Sequence, residues 1–196
     1  RRGIRYAREC LAAARQTGDV DLIAPIVFDL CSNHAARGEF RRVVQIGPLA
    51  LSLLKQAGKE DESFSRGYNI YSAILAFYAF SLGFLGEFDR AASLFEEGLG
   101  LAGNLENLYS MGLNEILYGY IFCQKGDGDT ALAHFQHSIQ YLERGQIFVL
   151  LGLAWNGMGR ARYFQGDLHQ ALAYAEKGLK IHREAGVTYN LSAHFW

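Results

Sequence analysis

Histidines and cysteines are the side chains of this chain best suited to metal or nucleophilic chemistry, and their spacing does not bring them together. Of the six histidines, His134 and His137 share a helix face at an i, i+3 spacing. The carboxylate of the nearby Asp129 is a candidate third metal ligand. A metal site needs more ligands than this, so we expect both histidines on the solvated outer face of a helix. Cys31 and Cys123 fall in apolar helical stretches, where buried structural thiols are usual.

Other known catalytic or ligand-binding motifs are not found. The sequence GDGD at 126–129 lacks the further ligands of a twelve-residue calcium loop, and its acids would repel a phosphate. There is no G-x-S-x-G, H-E-x-x-H or G-x-x-x-x-G-K-[ST] motif. The sequence therefore predicts no catalytic residue, no metal and no cofactor, and we expect the chain not to be an enzyme.

Composition narrows the class of protein further. The chain has 196 residues, of which 50% are hydrophobic and 20% charged, which is typical of a globular domain. A formal net charge of -1 leaves no cationic surplus for nucleic-acid phosphates, so nucleic-acid binding is not expected. The three cysteines form no C-x-x-C pair, which favours a reducing compartment, the cytoplasm.

An uncharged stretch at 67–86 is about long enough to cross a bilayer. It contains Asn69, Ser72 and Ser81, and it falls in register with the other helical stretches of the chain. A helix held between two neighbours is apolar on most sides without lipid. We therefore expect a buried helix here and no membrane association.

Four glycines mark a repeat in the sequence. The helices of this repeat would position any functional residues. Gly38, Gly86, Gly126 and Gly166 lie 48, 40 and 40 residues apart, and each is followed by an acidic residue and a helix-length segment. Glycine suits a tight turn, and an acid at the next position lies at the N-terminal end of the following helix. The predicted unit is helix, glycine turn, helix.

This unit resembles the tetratricopeptide repeat, whose pattern is W-x2-L-G-x2-Y, then A-x3-F, then P. The matching residues are Trp155, Met158, Gly159 and Ala171; Tyr118, Gly119, Phe122, Ala131 and Phe135; Leu75, Tyr78, Ala79, Leu82, Ala91 and Phe95; and, most weakly, Val27, Leu30, Cys31 and Val43. The chain departs from the family where Glu115 replaces Trp and Arg162 replaces Tyr, and no Pro closes a repeat. Small residues at Cys31, Ala79, Gly119 and Gly159 would let paired helices approach closely.

The resemblance implies an all-α fold, a right-handed α-solenoid of antiparallel helix pairs that covers nearly the whole chain. We expect residues 1–18 to form the second helix of an earlier repeat, followed by repeats at 21–57, 67–103, 107–144 and 147–184, and by the first helix of a further repeat at 187–196. Both ends are then expected to lie inside a longer array. The first interval, from Gly38 to Gly86, is longer than the others, and we expect its additional residues, at 56–66, to form a solvated loop.

One face of the first helices is the candidate binding surface. In tetratricopeptide proteins the corresponding stripe lines a concave groove that holds a segment of a partner protein. Here the predicted ligand-binding residues are Phe28, Ser32, Ala76, Phe80, Phe84, Ile116, Tyr120, Gln124, Asn156, Arg160 and Tyr163. These aromatic residues are equally compatible with a buried core between helices. The polar atoms of Tyr120, Asn156 and Arg160 favour the groove, because they need water or a partner.

The predicted function is a non-catalytic interaction or regulatory scaffold that binds an apolar or amphipathic protein segment. The forty-residue period is similar to that of tetratricopeptide segments in large multidomain bacterial signalling proteins. The family's basic clamp for a terminal carboxylate uses lysines that this stripe lacks, so a chaperone-tail receptor is not expected. Two alternatives stay open: a sensor in which Tyr120, Tyr163, Asn156 and Arg160 hold a sugar or other small polar ring, and a self-association module.

Overall fold

Helices of nearly equal length follow one another along the chain, of which the computed structural model describes residues 9–12, 14 and 16–187. They are α1 (Val20–Ala36), α2 (Phe40–Gln56), α3 (Ile70–Phe84), α4 (Phe88–Asn104), α5 (Leu108–Lys125), α6 (Gly128–Arg144), α7 (Phe148–Phe164) and α8 (Leu168–Glu184). Further helical residues precede Gly18, and the described ranges contain no strand. The predicted all-α fold is confirmed. The expected helix at 187–196 lies, beyond Val187, outside the described residues, as do residues 1–8 of the first expected helix.

The chain divides into two compact units, residues 1–107 and 108–196. In the first unit, α1 packs against α2 and α3, and α3 packs against α2 and α4. In the second unit, α5 packs against α6 and α7, and α7 packs against α6 and α8. Within each unit, a helix therefore contacts the helix that follows it and, for α1 and α5, also the next but one.

The predicted glycine turns are confirmed, and the structure adds a second set. Gly126 has a φ of +78° and closes a Schellman turn in which the Asp127 N–H donates to the Phe122 carbonyl at 3.0 Å. Glu106 takes the same left-handed conformation between α4 and α5, with a φ of +50°. From Gly86 onward, left-handed residues recur every twenty positions, at 86, 106, 126, 146, 166 and 186. Each helix with its turn thus occupies twenty residues, half of the predicted repeat.

The acidic residues after the turn glycines stand at the helix N-caps. The Asp127 and Asp167 carboxylates accept hydrogen bonds from the Thr130 and Gln170 backbone N–H groups, each at 3.0 Å. Glu39 and Glu87 occupy the same place without a side-chain capping bond. The shorter aspartate side chain is therefore the one that caps its own helix here.

In the second unit, Gly119 and Gly157 leave space between the helices for the aromatic side chain of Phe135. Phe135 of α6 is fully buried between α5 and α7. A Cβ atom on Gly119 would come within 2.9 Å of its ring, and a Cβ on Gly157 would overlap with it. The expected close approach of paired helices at Gly119 is confirmed, and its physical cause is the need to seat Phe135.

The longer loop of the first interval runs from Ala57 to Asn69, and it is tied to α1. The Lys59 ammonium pairs with the Asp21 carboxylate, and the Arg66 guanidinium lies 3.3 Å from the Asp29 carboxylate. The buried Asn69 side chain accepts from the Ser72 N–H and donates to the Glu60 carbonyl. The residues at 56–66 are exposed or partly exposed, as expected of a solvated loop, and ion pairs and the buried Asn69 amide hold the loop in place.

The uncharged stretch at 67–86 forms α3, which lies between α2 and α4 and also contacts α1. Most of its residues are buried against these neighbours. Among the helices described, none combines the length and the apolar character needed to traverse a bilayer.

Candidate functional site

Three polar residues of the predicted stripe come together in the second unit, where α5 and α7 pack against each other. Asn156 of α7 is hydrogen-bonded to the Tyr120 hydroxyl of α5. The Arg160 guanidinium lies 5.7 Å from the centroid of the Tyr120 ring and 5.7 Å from that of Phe164. We call Tyr120, Asn156 and Arg160 the α5–α7 cluster.

Burial determines the protonation states of Tyr120 and of two cysteine thiols. It raises the pKa of Tyr120 to about 12, although Arg160 and the hydrogen bond from Asn156 act in the opposite direction. Burial also raises the pKa of the neighbouring Cys123 thiol to about 11 and that of Cys31 to about 12. At neutral pH the phenol is uncharged, and both thiols are protonated and therefore poor nucleophiles.

Arg160 contacts aromatic rings, and no hydrogen bond or ion pair of its guanidinium is found in the described chain. It is partly exposed, and its contacts are the faces of two aromatic rings rather than a carboxylate of the described chain. Cation–π contacts hold the guanidinium plane without consuming its N–H donors. Those donors match a carboxylate or a backbone carbonyl oxygen.

The other predicted residues of the second unit differ in exposure. Ile116 is buried in the core, and Gln124 is exposed near the end of α5. Tyr163 is 61% exposed, and its ring centroid lies 5.7 Å from that of Phe164. Gln124 and Tyr163 are thus accessible to a ligand, whereas Ile116 is not.

In the first unit the stripe separates into core and surface. Phe28 and Ala76 are buried, and the Phe28 ring contacts those of Tyr68 and Phe77 at centroid distances of 5.0 and 5.8 Å. Ser32 is partly exposed. Of the two alternatives left open by the sequence, groove and core, the burial of Phe28 and Ala76 favours the core.

Phe80 and Phe84 form a partly exposed aromatic cluster with Phe40 of α2. Their centroid distances are 4.6 Å between Phe80 and Phe84, 4.7 Å between Phe40 and Phe84, and 5.9 Å between Phe40 and Phe80. Phe40 was not part of the predicted stripe, because it follows Glu39 at the start of a second helix. Its contribution depends on how α2 packs against α3.

His134 does not lie on a solvated face, contrary to the sequence-based expectation. Its Nδ1 atom is 2.6 Å from a carboxylate oxygen of Glu115, which is buried at 6% exposure. The imidazole ring also lies 4.4 Å from the Tyr118 ring and is stacked on Phe122 at 5.1 Å, centroid to centroid. The signal in the sequence was Glu115 itself, an acid at a position where the repeat family has Trp.

His137 remains more than half exposed, as expected, and its Nδ1 atom lies 3.7 Å from the other Glu115 oxygen. Among the described residues, no group of three or more His, Cys, Asp or Glu side chains is placed to hold a metal ion. Asp129, considered above as a third metal ligand, instead accepts a hydrogen bond from the Gln165 side chain at 2.8 Å. The arrangement is thus a buried carboxylate, Glu115, with His134 and His137 beside it.

Solved structures with a similar fold are known. BtubC (BKLC) from P. vanneervenii superposes with a TM-score of 0.66 and 19% sequence identity, covering 93% of this chain and 73% of that protein. The MamA protein superposes with a TM-score of 0.49 and 14% identity, covering 95% and 96% of the two chains. No model of a protein family matches the chain, and no curated protein matches it in sequence. The likeness to BtubC shows the fold, a tetratricopeptide-like helical repeat.

Proposed function

We propose that this chain is a non-catalytic binding module that holds an apolar or amphipathic segment of a partner protein on the α5–α7 cluster. The observation that carries the proposal is Arg160, a partly exposed guanidinium that rests on Tyr120 and Phe164 and has no carboxylate partner in the described chain. Arginine and tyrosine are enriched among residues that dominate binding energy at protein interfaces. A tetratricopeptide-like fold is typical of such scaffolds.

The chemistry of the cluster favours one kind of partner segment. The Phe164 and Tyr163 rings are 52% and 61% exposed and offer contact area to an apolar side chain. Arg160 would donate hydrogen bonds to an acidic side chain or a backbone carbonyl oxygen of the partner. The partner segment would therefore carry an apolar residue next to an acidic or carbonyl oxygen.

A scaffold role also agrees with the state of the nucleophiles. Cys31 and Cys123 are protonated by burial, and Tyr120 is a neutral phenol at physiological pH. The resemblance to repeat segments of bacterial signalling proteins supports placing the module in the cytoplasm, within a larger regulatory protein.

The test is affinity capture with the full 196-residue chain as bait in a lysate of its source organism. Arg160→Gln removes the charge and keeps the side-chain length, and Tyr120→Phe removes only the hydroxyl. Arg144→Gln is the matched control, because Arg144 is exposed on α6 outside the cluster. A partner retained by wild type and Arg144→Gln is expected to be lost from Arg160→Gln, by about tenfold or more for a charge-assisted contact.

Retention that is equal for Arg160→Gln and Arg144→Gln would show that Arg160 does not contact the partner, and it would overturn this proposal. Circular dichroism of each variant confirms that its helices are intact, so that a loss of capture reports on the surface.

A second candidate function, self-association, is favoured by exposed apolar side chains at the start of α8. Leu168 and Leu172 of α8 are 63% and 61% exposed and lie four residues apart, and Phe164, the last residue of α7, is 52% exposed. Leu168 and Leu172 therefore share one face of α8, which suits contact with a second copy of the chain.

A further inference from the structure

Residues 61–68, between α2 and α3, form a small closed loop that we call the strap. The buried Asn69 side chain pins the two ends of the strap together, because it caps α3 at the Ser72 N–H and donates to the Glu60 carbonyl at 2.8 Å. Compact surface loops whose ends lie close together are frequently functional. The strap therefore has a fixed base, and its tip can lift without a change in the helices that flank it.

A strained turn lies within the strap. The Arg66 N–H donates to the Ser63 carbonyl at 2.9 Å and closes a turn over residues 63–66. The two central residues of this turn, Phe64 and Ser65, have φ angles of +50° and +62°. Two left-handed central residues are typical of a type I′ turn, which favours asparagine and glycine. Phenylalanine and serine are disfavoured in this conformation, so the closed strap stores backbone strain.

Arg66 links the strap to α1. Its Nη2 atom lies 3.3 Å from the Asp29 carboxylate, and its Nη1 atom donates to the Tyr68 hydroxyl at 3.1 Å. The side chains of Arg66 and Asp29 are 37% and 45% exposed. An ion pair this exposed contributes little to stability and is weakened by salt. The strain of the turn is therefore opposed by a weak ion pair.

The strap also covers an aromatic side chain of α1. The Tyr68 ring lies 5.0 Å from the Phe28 ring, which in turn lies 5.8 Å from that of Phe77, centroid to centroid. Phe28 is 8% exposed, whereas Phe77 of α3 is partly exposed. Lifting of Tyr68 would uncover Phe28 beside Phe77 and enlarge the apolar surface at this place.

We propose that the strap opens locally in the folded chain and thereby uncovers the Phe28 ring. The strained turn favours the open state, whereas the Arg66–Asp29 ion pair and the contact of Tyr68 with Phe28 favour the closed state. Because these opposing contributions are small, the strap opens without unfolding of the helices. Ionic strength controls the opening, since salt weakens the ion pair and leaves the backbone strain unchanged.

The experiment measures the initial rate at which trypsin cleaves the native full chain after Arg66, by mass spectrometry of the fragments. This rate follows the open population when the open strap closes faster than trypsin cuts it. Each rate is divided by that of a synthetic peptide of residues 57–72, which carries the same change where the change lies in it. For wild type, raising NaCl from about 0.05 M to about 0.5 M is expected to increase this ratio.

Three variants test the opposing contributions. Asp29→Asn should increase the ratio about two- to fivefold, the range for an exposed ion pair, and should abolish its response to salt. Tyr68→Ala should increase it about tenfold, because the ring contact with Phe28 is lost. Phe64→Asn combined with Ser65→Gly should decrease it about tenfold, because both residues then suit the left-handed turn.

Asp61→Asn is the matched control, since it removes an exposed acid of the strap and leaves the Asp29 carboxylate in place. Equal effects of Asp29→Asn and Asp61→Asn, or a wild-type ratio that does not respond to salt, would overturn the proposal. An unchanged ratio in Tyr68→Ala would overturn it too, because Phe28 then stays covered when the strap is cut. Cleavage after Arg90 at the same rate as after Arg66 would show global unfolding instead of local opening, even if a variant fails to fold.

Discussion

His182 shows how burial sets the behaviour of a single residue. Its side chain is fully buried in the second unit, and its Nε2 atom lies 3.1 Å from the Val149 carbonyl oxygen, to which an Nε2–H donates. Burial lowers the pKa of His182 below its usual value of 6.5, against the smaller opposite effect of that hydrogen bond. The folded chain therefore favours the neutral imidazole.

This shift predicts a pH dependence with a definite sign. Above the unfolded pKa of 6.5, His182 is neutral in both states and contributes no pH dependence. Below pH 6.5, the unfolded chain binds a proton that the folded chain resists, so the free energy of unfolding falls. We expect the stability advantage of wild type over His182→Leu to shrink as pH decreases from 7.5 to 5, measured by urea unfolding.

Leucine is a suitable replacement, because Leu142 occupies the place forty residues earlier. The exposed His169 supplies the control, and His169→Gln should follow the wild-type pH profile. An advantage over His182→Leu that is constant with pH would show that His182 titrates alike in both states.

At the scale of helix pairs, a small residue on one helix faces a larger one on the next. A Cβ atom on Gly112 of α5 would lie 2.5 Å from the Leu142 Cδ2 atom of α6. Forty residues later, a Cβ on Gly152 would overlap with the His182 ring. The glycines therefore make room for the side chain that each partner helix supplies.

Hydroxyl groups near these positions tie the paired helices together. Ser72 of α3 donates to the Gly98 carbonyl of α4 at 2.9 Å. Forty residues later the roles are exchanged, and Ser138 of α6 donates to the Gly112 carbonyl of α5, also at 2.9 Å. Because glycine stands opposite serine in both pairs, either helix can supply the bond that links them.

Gly152→Ala should destabilise the chain, by about 1–3 kcal/mol, because the added methyl group meets the His182 ring in a packed interface. Gly100→Ala is the matched control on α4, where an added Cβ meets nothing within 4 Å. That change should stabilise by about 0.5–1 kcal/mol, because alanine loses less conformational entropy in a helix. Urea unfolding of both variants measures the difference.

Combining Gly152→Ala with His182→Ala should recover part of the lost stability, since the smaller side chain makes space for the methyl group. Unfolding free energies of Gly152→Ala and Gly100→Ala that change in the same direction would contradict the packing argument.

At the scale of the whole molecule, the exposed apolar pair Leu168 and Leu172 on α8 predicts self-association. A mass above 21.9 kDa that rises with protein concentration is expected from light scattering after gel filtration. Leu172→Glu should restore the monomer mass at the same concentration, because a charge on the apolar face opposes its burial. Leu49→Glu is the control, since Leu49 is 53% exposed on α2 of the other unit. A monomer at all concentrations would exclude this candidate function.

The sequence by itself determined the helical repeat and the position of its turns. Gly38, Gly86, Gly126 and Gly166 were recognisable because a left-handed turn strongly favours glycine. The second set of turns has no glycine in the left-handed position at Glu106 and Gln146, so the residue types do not indicate it. Side chains other than glycine can be held there once hydrogen bonds close the turn, so the twenty-residue spacing was not visible from residue types alone.

The tertiary structure decided which side chains are buried and which polar atoms meet. Periodicity places Tyr120, Asn156 and Arg160 on corresponding helix faces, and packing of α5 against α7 brings them into contact. The sequence showed Glu115 as an acid where the repeat family has Trp, but it did not show that Glu115 contacts His134. Hydrogen bonds between helices depend on register and on distances of a fraction of an ångström, whereas helix formation depends on the local order of residues. The repeat is thus encoded locally, and its candidate binding surfaces are a product of packing.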